Sequence, residues 1–176
     1  FCGHTTLRID SNIIVFNIKE LMNSDENIRN ALFFNILKYA WGLCLDKNRN
    51  TILSVDEAHV FIDEQRPIAL DFMFQMAKRI RKYQGMQIVI TQNIKDFLGT
   101  PEIQRRSAAI INACQYSMIL QLAPNDMADL LTLYKSAGGI NKREQEGIVT
   151  AERGEIFVIS WPMDRTFVKL VAMPNL

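Results

Sequence analysis

The chain has 176 residues, of which 48% are hydrophobic and 22% are charged, so it is long enough to bury the core of one domain. This composition excludes a disordered tail. The formal net charge of +1 gives no global attraction to nucleic acid or to a membrane, so any such binding must come from local patches.

Cysteine spacing and hydropathy place the chain in a broad class. Cys2, Cys44 and Cys114 are widely spaced and form no Cys-x-x-Cys pattern, which predicts reduced thiols in a cytoplasmic protein without a zinc site. The longest mostly apolar run, residues 108–122, is too short and too polar to span a bilayer. The chain begins at Phe1 rather than at a methionine, which predicts a piece of a longer protein.

The first part of the chain predicts two strands and a helix. Residues 5–10 and 12–18 have the composition of strands joined by a turn, and the second is expected in the main sheet. Ser24 is a candidate N-cap, and apolar residues recur at helical spacing from Ile28 to Cys44. So broad an apolar face predicts a helix packed on a sheet.

A short apolar strand, residues 52–55, ends abruptly in the two carboxylates of Asp56 and Glu57. Open α/β sheets bind their ligands at the carboxyl ends of strands. Two adjacent acids there suit phosphoryl transfer, because the first can hold Mg²⁺ and the second can orient or deprotonate an attacking water. Residues 52–57 are therefore a candidate Walker B element; the alternative is a buried strand that meets a solvated turn.

The next helix is predicted to begin at Pro67, to run to about Tyr83 and to be ended by Gly85. Its apolar residues fall on one side. Cations near a helix carboxyl end favour the helix dipole, so a solvated capping face explains them without a function. These cations are Lys78, Arg79, Arg81 and Lys82.

Residues 86–93 form a second predicted strand, which ends in Thr91 and Gln92. With the intervening helix, the two strands make a βαβ unit whose carboxyl ends meet in one crevice. A neutral Gln92 there can hydrogen-bond a phosphate or the attacking water, and the alternative is a cap of the strand end. Polar groups at both strand ends favour the phosphate site.

The rest of the chain predicts helices, a third strand and a terminal hairpin. Asn125 is expected to cap the second of these helices, and Gly138-Gly139 to end it. The segments are helices at 100–113 and 126–137, a strand at 117–122, a helical turn at 142–146 and hairpin strands at 155–160 and 166–171. Since no repeat or linker separates them, the sequence predicts one α/β domain over residues 1–176.

The order of these motifs resembles a known family. Residues 52–59, the helix ending Arg-Ile-Arg-Lys-Tyr-Gln-Gly and the strand Ile-Val-Ile-Thr-Gln-Asn are similar to the HerA–FtsK superfamily of RecA-like hexameric ATPases. Within it, the whole chain looks most like the C-terminal part of the conjugation and type IV secretion ATPases of the VirB and TraC/TraE types. The resemblance implies a RecA-like P-loop NTPase core, with a mostly parallel sheet flanked by helices and a C-terminal β-hairpin.

The resemblance also implies roles for residues. Asp56 would be the Walker B acid at Mg²⁺ and nucleotide, Glu57 the residue that activates water, and Gln92 the sensor glutamine. Arg81 would be an arginine finger that reaches the neighbouring subunit's nucleotide and makes hydrolysis depend on assembly. The other candidates for that finger are Arg79, then Arg105, Arg106 and Arg153.

From this resemblance, the chain is expected to use ATP and Mg²⁺ and to power the transfer of DNA or protein, or the assembly of a secretion channel. The implied partners are further copies of the chain in a hexamer, other secretion or conjugation components at the inner membrane, and DNA as a candidate. The implied location is the cytoplasm, peripheral at the cytoplasmic face of the cell membrane.

One departure from the family limits these expectations. The chain has no Gly-x-x-x-x-Gly-Lys-[Ser/Thr] loop, which the family carries upstream of the residues matched here. That loop is expected before residue 1, and the chain alone is expected to be nearly inactive, because nothing else cradles the phosphates. The alternatives are a non-catalytic RecA-like assembly domain and a DNA-pumping ATPase of the same superfamily.

The tetrapeptide Asp56-Glu57-Ala58-His59 also spells the motif of a class of RNA and DNA helicases. Those enzymes are expected to carry a Ser-Ala-Thr-like segment after the next helix, where this chain has residues 91–93, Thr-Gln-Asn. The helicase interpretation is therefore disfavoured. His59 is interpreted as a packing or capping residue just past the strand.

Overall fold

The computed structural model describes residues 9, 11–62, 67–160 and 164–171. The helices in these ranges are α1 (Lys19–Met22), α2 (Glu26–Cys44), α3 (Pro67–Arg79), α4 (Pro101–Ala113), α5 (Pro124–Tyr134) and α6 (Lys142–Thr150). The strands are β1 (Ile52–Val55), β2 (Met86–Val89), β3 (Tyr116–Ile119), β4 (Glu155–Ser160) and β5 (Asp164–Lys169). Single 3₁₀ turns follow β1, α3 and β2 at Ala58–Phe61, Ile80–Tyr83 and Lys95–Leu98.

The predicted βαβ unit is present. β1 and β2 pair in parallel, with Ile52 beside Met86 and Val55 beside Val89, and α3 lies between them in the chain. A parallel pair needs such a crossover, because both strands must enter the sheet from the same edge. The carboxyl ends of β1 and β2 therefore lie side by side.

The third strand joins a different sheet from the first two. β3 pairs antiparallel with β4, and β4 pairs antiparallel with β5, in the order β3-β4-β5. In this register Ile119 lies opposite Phe157, and both side chains are buried in the core. The predicted α/β class and the C-terminal hairpin are confirmed, with the hairpin extended by β3 into a three-stranded sheet.

Two segments near the start of the chain differ from expectation. The strand predicted at 5–10 lies outside the described residues, apart from Ile9. Residues 11–18 form no strand, and Ile13 and Val15 are exposed. The Ser11 hydroxyl donates to the carbonyl of Ile13 at 2.8 Å and accepts from its N–H at 3.2 Å. Such local side-chain bonds occupy backbone groups that a strand would need.

Helix boundaries follow capping chemistry, with three corrections. The side chain of Asp25 rather than Ser24 caps α2, by accepting from the backbone N–H of Asn27 at 2.9 Å. α5 begins at Pro124, so Asn125 lies within the helix and does not cap it. A proline is favourable at the first helical position because its φ is already helical.

The third correction concerns α6, which extends to Thr150 instead of stopping after a single turn. Asn141 and Glu144 form a capping box: the Asn141 side chain accepts from the Glu144 N–H at 2.9 Å, and the Glu144 carboxylate accepts from the Asn141 N–H at 2.8 Å. This reciprocal pairing satisfies two N–H groups that would otherwise lack partners.

The helix predicted to run from Pro67 to about Tyr83 also ends differently from expectation. A 3₁₀ turn continues from Ile80 to Tyr83, and Gln84 takes the left-handed conformation with φ of 56°. Gly85 serves close packing instead, because a Cβ at this position would lie 2.6 Å from Cγ1 of Ile80.

The main hydrophobic core lies between α3, α4, α5, α6 and the β3-β4-β5 sheet. Its most buried members include Leu70, Met73, Ile110, Ile148 and Phe157. The opposite rows of the strands are exposed and apolar, and they include Ile52, Met86, Ile88, Tyr116 and Met118. Of the cysteines in the described ranges, Cys44 and Cys114 are free thiols.

Candidate active site at the carboxyl ends of the parallel strands

The backbone joins the segments that follow β1 and β2. Ile90 donates its N–H to the carbonyl of Val55 at 2.9 Å, and Ala58 donates to the carbonyl of Ile90 at 2.8 Å. Ala58 has no exposed surface, so the turn after β1 is anchored in the core. The polar residues after both strands are thus held against one another by main-chain bonds rather than by side chains alone.

Glu57 and Gln92 meet just past the carboxyl ends of β1 and β2, as the sequence predicted. The Nε2 of Gln92 donates to Oε1 of Glu57 at 2.8 Å. A hydrogen bond to a carboxylate is stronger than one between neutral groups and fixes the orientation of both side chains. The predicted sensor glutamine and the predicted water-activating acid therefore form one hydrogen-bonded pair.

Glu57 has an unusual backbone conformation, with φ of 48° and ψ of 48°. A residue with a Cβ pays for this left-handed geometry with about 1–2 kcal/mol. Glu57 is followed at once by the 3₁₀ turn, and its carbonyl accepts from Val60 N–H at 2.9 Å. Backbone strain of this kind is concentrated at functional sites in proteins.

Asp56 is exposed beside Glu57, and its Oδ1 accepts from the Glu57 backbone N–H at 2.9 Å. This local bond orients the carboxylate and leaves Oδ2 for another ligand. Among the described residues, no group of three acidic, histidine or cysteine side chains forms a cage for a metal ion. A single carboxylate fits Mg²⁺, which commonly keeps several waters and takes its other ligands from phosphates.

His59 also faces Glu57, a contact that the sequence analysis missed. Its Nδ1 lies 3.2 Å from Oε2 of Glu57, and the His59 side chain is 28% exposed. A glutamate followed two positions later by a histidine in a tight turn was the signal in the sequence. That spacing was uninformative alone, because the sequence did not predict the left-handed conformation of Glu57 or the 3₁₀ turn that follows it.

The loop after Gln92 is held by short-range bonds. The Thr91 hydroxyl accepts from Asn93 N–H at 3.2 Å, and Asn93 Nδ2 donates to the Asp96 carboxylate at 2.7 Å. These contacts fix the chain on both sides of Gln92, so the amide approaches Glu57 from a defined position.

The structure does not bring Arg81 to this site. Arg81 is exposed in the 3₁₀ turn before β2, whereas Glu57 follows the opposite end of β1. A four-residue strand is roughly 13 Å long at about 3.3 Å per residue, so the two lie on opposite edges of the sheet. Arg79, the second candidate, lies two residues before Arg81. Its guanidinium is 5.9 Å from the centre of the Trp41 ring.

The other candidate arginines have different surroundings. Arg105 and Arg106 both donate to the Glu102 carboxylate, and these hydrogen bonds lower the pKa of Glu102 to about 2. Arg106 also pairs with Asp71, which connects α4 to α3. Arg153 is exposed in the turn before β4. Arg105 and Arg106 are therefore engaged within their own subunit.

This fold and site define a class of protein. A parallel βαβ unit with Asp-Glu at one strand end and Gln at the next is the arrangement that the resemblance to the RecA-like P-loop ATPases implied. A family model described as the TraG P-loop domain matches residues 9–154. The chain therefore belongs to the TraG P-loop domain family, and the resemblance to the conjugation and type IV secretion ATPases is confirmed.

Two individual proteins are similar to this chain over most of its length. The solved structure of VirB4 of Thermoanaerobacter pseudethanolicus is 36% identical, with a TM-score of 0.80, over 96% of this chain and 44% of that chain. An uncharacterised protein of Bacillus anthracis is 26% identical over 182 residues, which cover 90% of this chain and 28% of that protein. The chain thus spans less than half the length of either relative. No helix in the described ranges is both long and apolar enough to cross a membrane.

Proposed function

We propose that this chain carries the catalytic carboxylates of an ATPase motor that powers conjugative transfer or type IV secretion. The hydrogen bond between Gln92 and Glu57 supports this function most directly. It joins the ends of the two parallel strands, where a nucleotide's phosphates would lie in an open α/β sheet. Membership in the TraG P-loop domain family supports the same conclusion.

Each residue has a distinct role in this proposal. Asp56 would hold Mg²⁺, which offsets the charge on the phosphates of bound ATP. Glu57 orients the attacking water and takes its proton on Oε1, which retains a lone pair beside the Gln92 bond. Gln92 keeps that oxygen in place and uses its own carbonyl to contact the water or the terminal phosphate.

The chain does not contain every part that hydrolysis needs. No Gly-x-x-x-x-Gly-Lys-[Ser/Thr] sequence occurs in it, so the β- and γ-phosphates must be cradled by residues outside it. We propose that the natural full-length protein supplies this loop and that the 176-residue chain alone has little activity.

We also propose that Arg81 acts on the nucleotide of a neighbouring subunit within a hexamer. Its position supports this role, because it is exposed on the edge of the sheet opposite Glu57 and so is placed for an action in trans. Mixing Arg81→Ala subunits with Glu57→Gln subunits is expected to restore part of the turnover, since some interfaces then combine two intact halves. Mixed rings without any recovery would contradict a trans role, and Arg79→Ala serves as the comparison.

The wider setting follows from the same family. We propose that the assembly works in the cytoplasm at the face of the cell membrane, docked on other secretion or conjugation components, and that DNA or protein is the moved substrate. Membership in the TraG P-loop domain family and the structural similarity to VirB4 support this setting.

The function is tested by ATP turnover of the natural full-length protein. We expect turnover that requires Mg²⁺ and a loss of about 10²- to 10⁴-fold in Glu57→Gln, which keeps the shape of the side chain but removes the base. Glu146→Gln is the matched control, because it makes the same change on the exposed face of α6. Glu57→Gln with wild-type turnover would overturn the proposal.

A second candidate function is a RecA-like assembly domain without catalysis, which the missing phosphate loop favours. The two candidates differ in what precedes Phe1 in the natural reading frame. An intact phosphate loop there would remove the second candidate. A degenerate loop, together with a folded full-length protein that hydrolyses no ATP, would establish it.

A further inference from the structure

Glu57 has two carboxylate oxygens, and the structure gives them different neighbours. Oε1 accepts from Gln92, while Oε2 faces the imidazole of His59 with its Nδ1 at 3.2 Å. Although 43% of the Glu57 side chain is exposed, Oε2 itself and His59 Nδ1 are shielded from solvent. Neither of these two atoms makes a hydrogen bond to another group in the described ranges.

The backbone keeps this pair together. Glu57 and His59 lie on one 3₁₀ turn, closed by the bonds from Val60 N–H to the Glu57 carbonyl and from Ile62 N–H to the His59 carbonyl, each 2.9 Å long. Glu57 has the left-handed conformation at the start of this turn, and its carboxylate lies beside the His59 ring. Ala58, which lies between them, is fully buried and donates its N–H to the carbonyl of Ile90 at 2.8 Å, so the turn is anchored to the core.

A shielded carboxylate oxygen without a donor is costly, because it loses its water and gains nothing in return. His59 Nδ1 lies 3.2 Å from Oε2, which is already within hydrogen-bond distance. The hydrogen bond forms once the ring is oriented so that an Nδ1–H bond points at Oε2. This requires the tautomer that carries its proton on Nδ1 and leaves Nε2 as the free acceptor.

We propose that His59 is a positioning residue: its Nδ1–H donates to Oε2 and, with Gln92 on Oε1, holds the Glu57 carboxylate in a single orientation. This inference rests on the proposed function, in which Glu57 activates water. His59 touches neither water nor nucleotide and acts only through Glu57. Because a misplaced base loses rate rather than binding, His59 is expected to affect kcat and to leave the KM for ATP nearly unchanged.

Substitution of His59 by asparagine or by glutamine tests which of its two ring nitrogens makes the hydrogen bond to Glu57. The amide nitrogen of asparagine reaches about as far as Nδ1, whereas that of glutamine reaches about as far as Nε2. In the natural full-length protein, His59→Asn is expected to keep most of the kcat, while His59→Gln and His59→Ala lose about 10- to 100-fold. Equal losses in all three variants would show a packing role, and three variants near the wild type would show no role; either result overturns the proposal.

A second measurement needs no turnover and so separates this inference from the proposed function. The sample is the 176-residue chain, which has only two histidines. In this chain His4→Gln leaves His59 as the single imidazole in the nitrogen NMR spectrum. At mildly alkaline pH the shifts of its two ring nitrogens are expected to show the proton on Nδ1, and Glu57→Ala is expected to shift the Nδ1 signal. A bare Nδ1, or a signal that Glu57→Ala leaves unmoved, would overturn the proposal even if the protein hydrolyses ATP.

Discussion

The parallel pair β1-β2 and the antiparallel sheet β3-β4-β5 use their residues in opposite ways. No residue of β1 or β2 is fully buried, yet the ends of these strands carry Asp56, Glu57 and Gln92. The antiparallel sheet contributes Ile119, Phe157 and Ile159 to the core, and none of the candidate catalytic residues lies on it.

The difference extends to polar contacts and backbone geometry. At the site, the hydrogen bond between Glu57 and Gln92 is exposed and Glu57 has a strained backbone. Beside the antiparallel sheet, Arg165 of β5 donates to the Glu144 carboxylate at 3.0 Å, and both side chains are largely buried. We infer that the antiparallel sheet stabilises the fold, and that the parallel pair accepts strain in order to position functional groups.

The largest expected effect on stability comes from a substitution in the antiparallel sheet. Phe157 is 1% exposed, and its ring lies 4.8 Å from that of Phe167. Phe157→Ala is expected to lower the free energy of unfolding of the chain by about 3–5 kcal/mol, because it leaves a cavity in the core. Urea denaturation measures this change.

The matched control for this prediction is Phe34→Ala on α2, where the ring is 51% exposed. It is expected to change stability by less than about 1 kcal/mol. Equal effects of the two substitutions would show that the antiparallel sheet is not the main source of stability.

A smaller effect on stability is expected at Glu57, which follows the parallel strand β1 and has a strained backbone. Glu57→Gly and Glu57→Ala both remove the carboxylate, but only glycine takes a positive φ without cost. The glycine variant is therefore expected to be more stable than the alanine variant by about 1 kcal/mol, as measured by urea denaturation. At Glu146, within α6, the order should reverse, because alanine favours a helix interior. An alanine variant at Glu57 as stable as the glycine variant would contradict the strain.

Much of the fold follows from local patterns in the sequence. The apolar runs at β1 and β2 and the helical periodicity between them predict the βαβ unit, and with it the meeting of Glu57 and Gln92. The pairing of β3 with β4 could not be predicted in this way, because the partner of a strand depends on contacts between residues distant in the chain.

Details of the site were harder to predict than its place. The left-handed conformation of Glu57 is not an intrinsic preference of glutamate, and it occurs where the next residue, Ala58, is bonded to Ile90 just after β2. The contact between His59 and Glu57 is formed across a turn whose geometry the motif Asp-Glu-Ala-His alone could not reveal. In contrast, Asn141 and Glu144 have the spacing of a capping box and could have predicted the start of α6.

The central claim is that Glu57 and Gln92 act as one catalytic unit at the ends of the parallel strands. Single-turnover ATP hydrolysis by the natural full-length protein tests it most directly, with Glu57→Gln, Gln92→Ala and the double variant measured side by side. If the pair acts as a unit, adding Gln92→Ala to Glu57→Gln should slow the reaction much less than Gln92→Ala slows the wild type, because the carboxylate that Gln92 orients is already gone. Losses that multiply in the double variant would contradict the claim, since each residue would then contribute independently of the other.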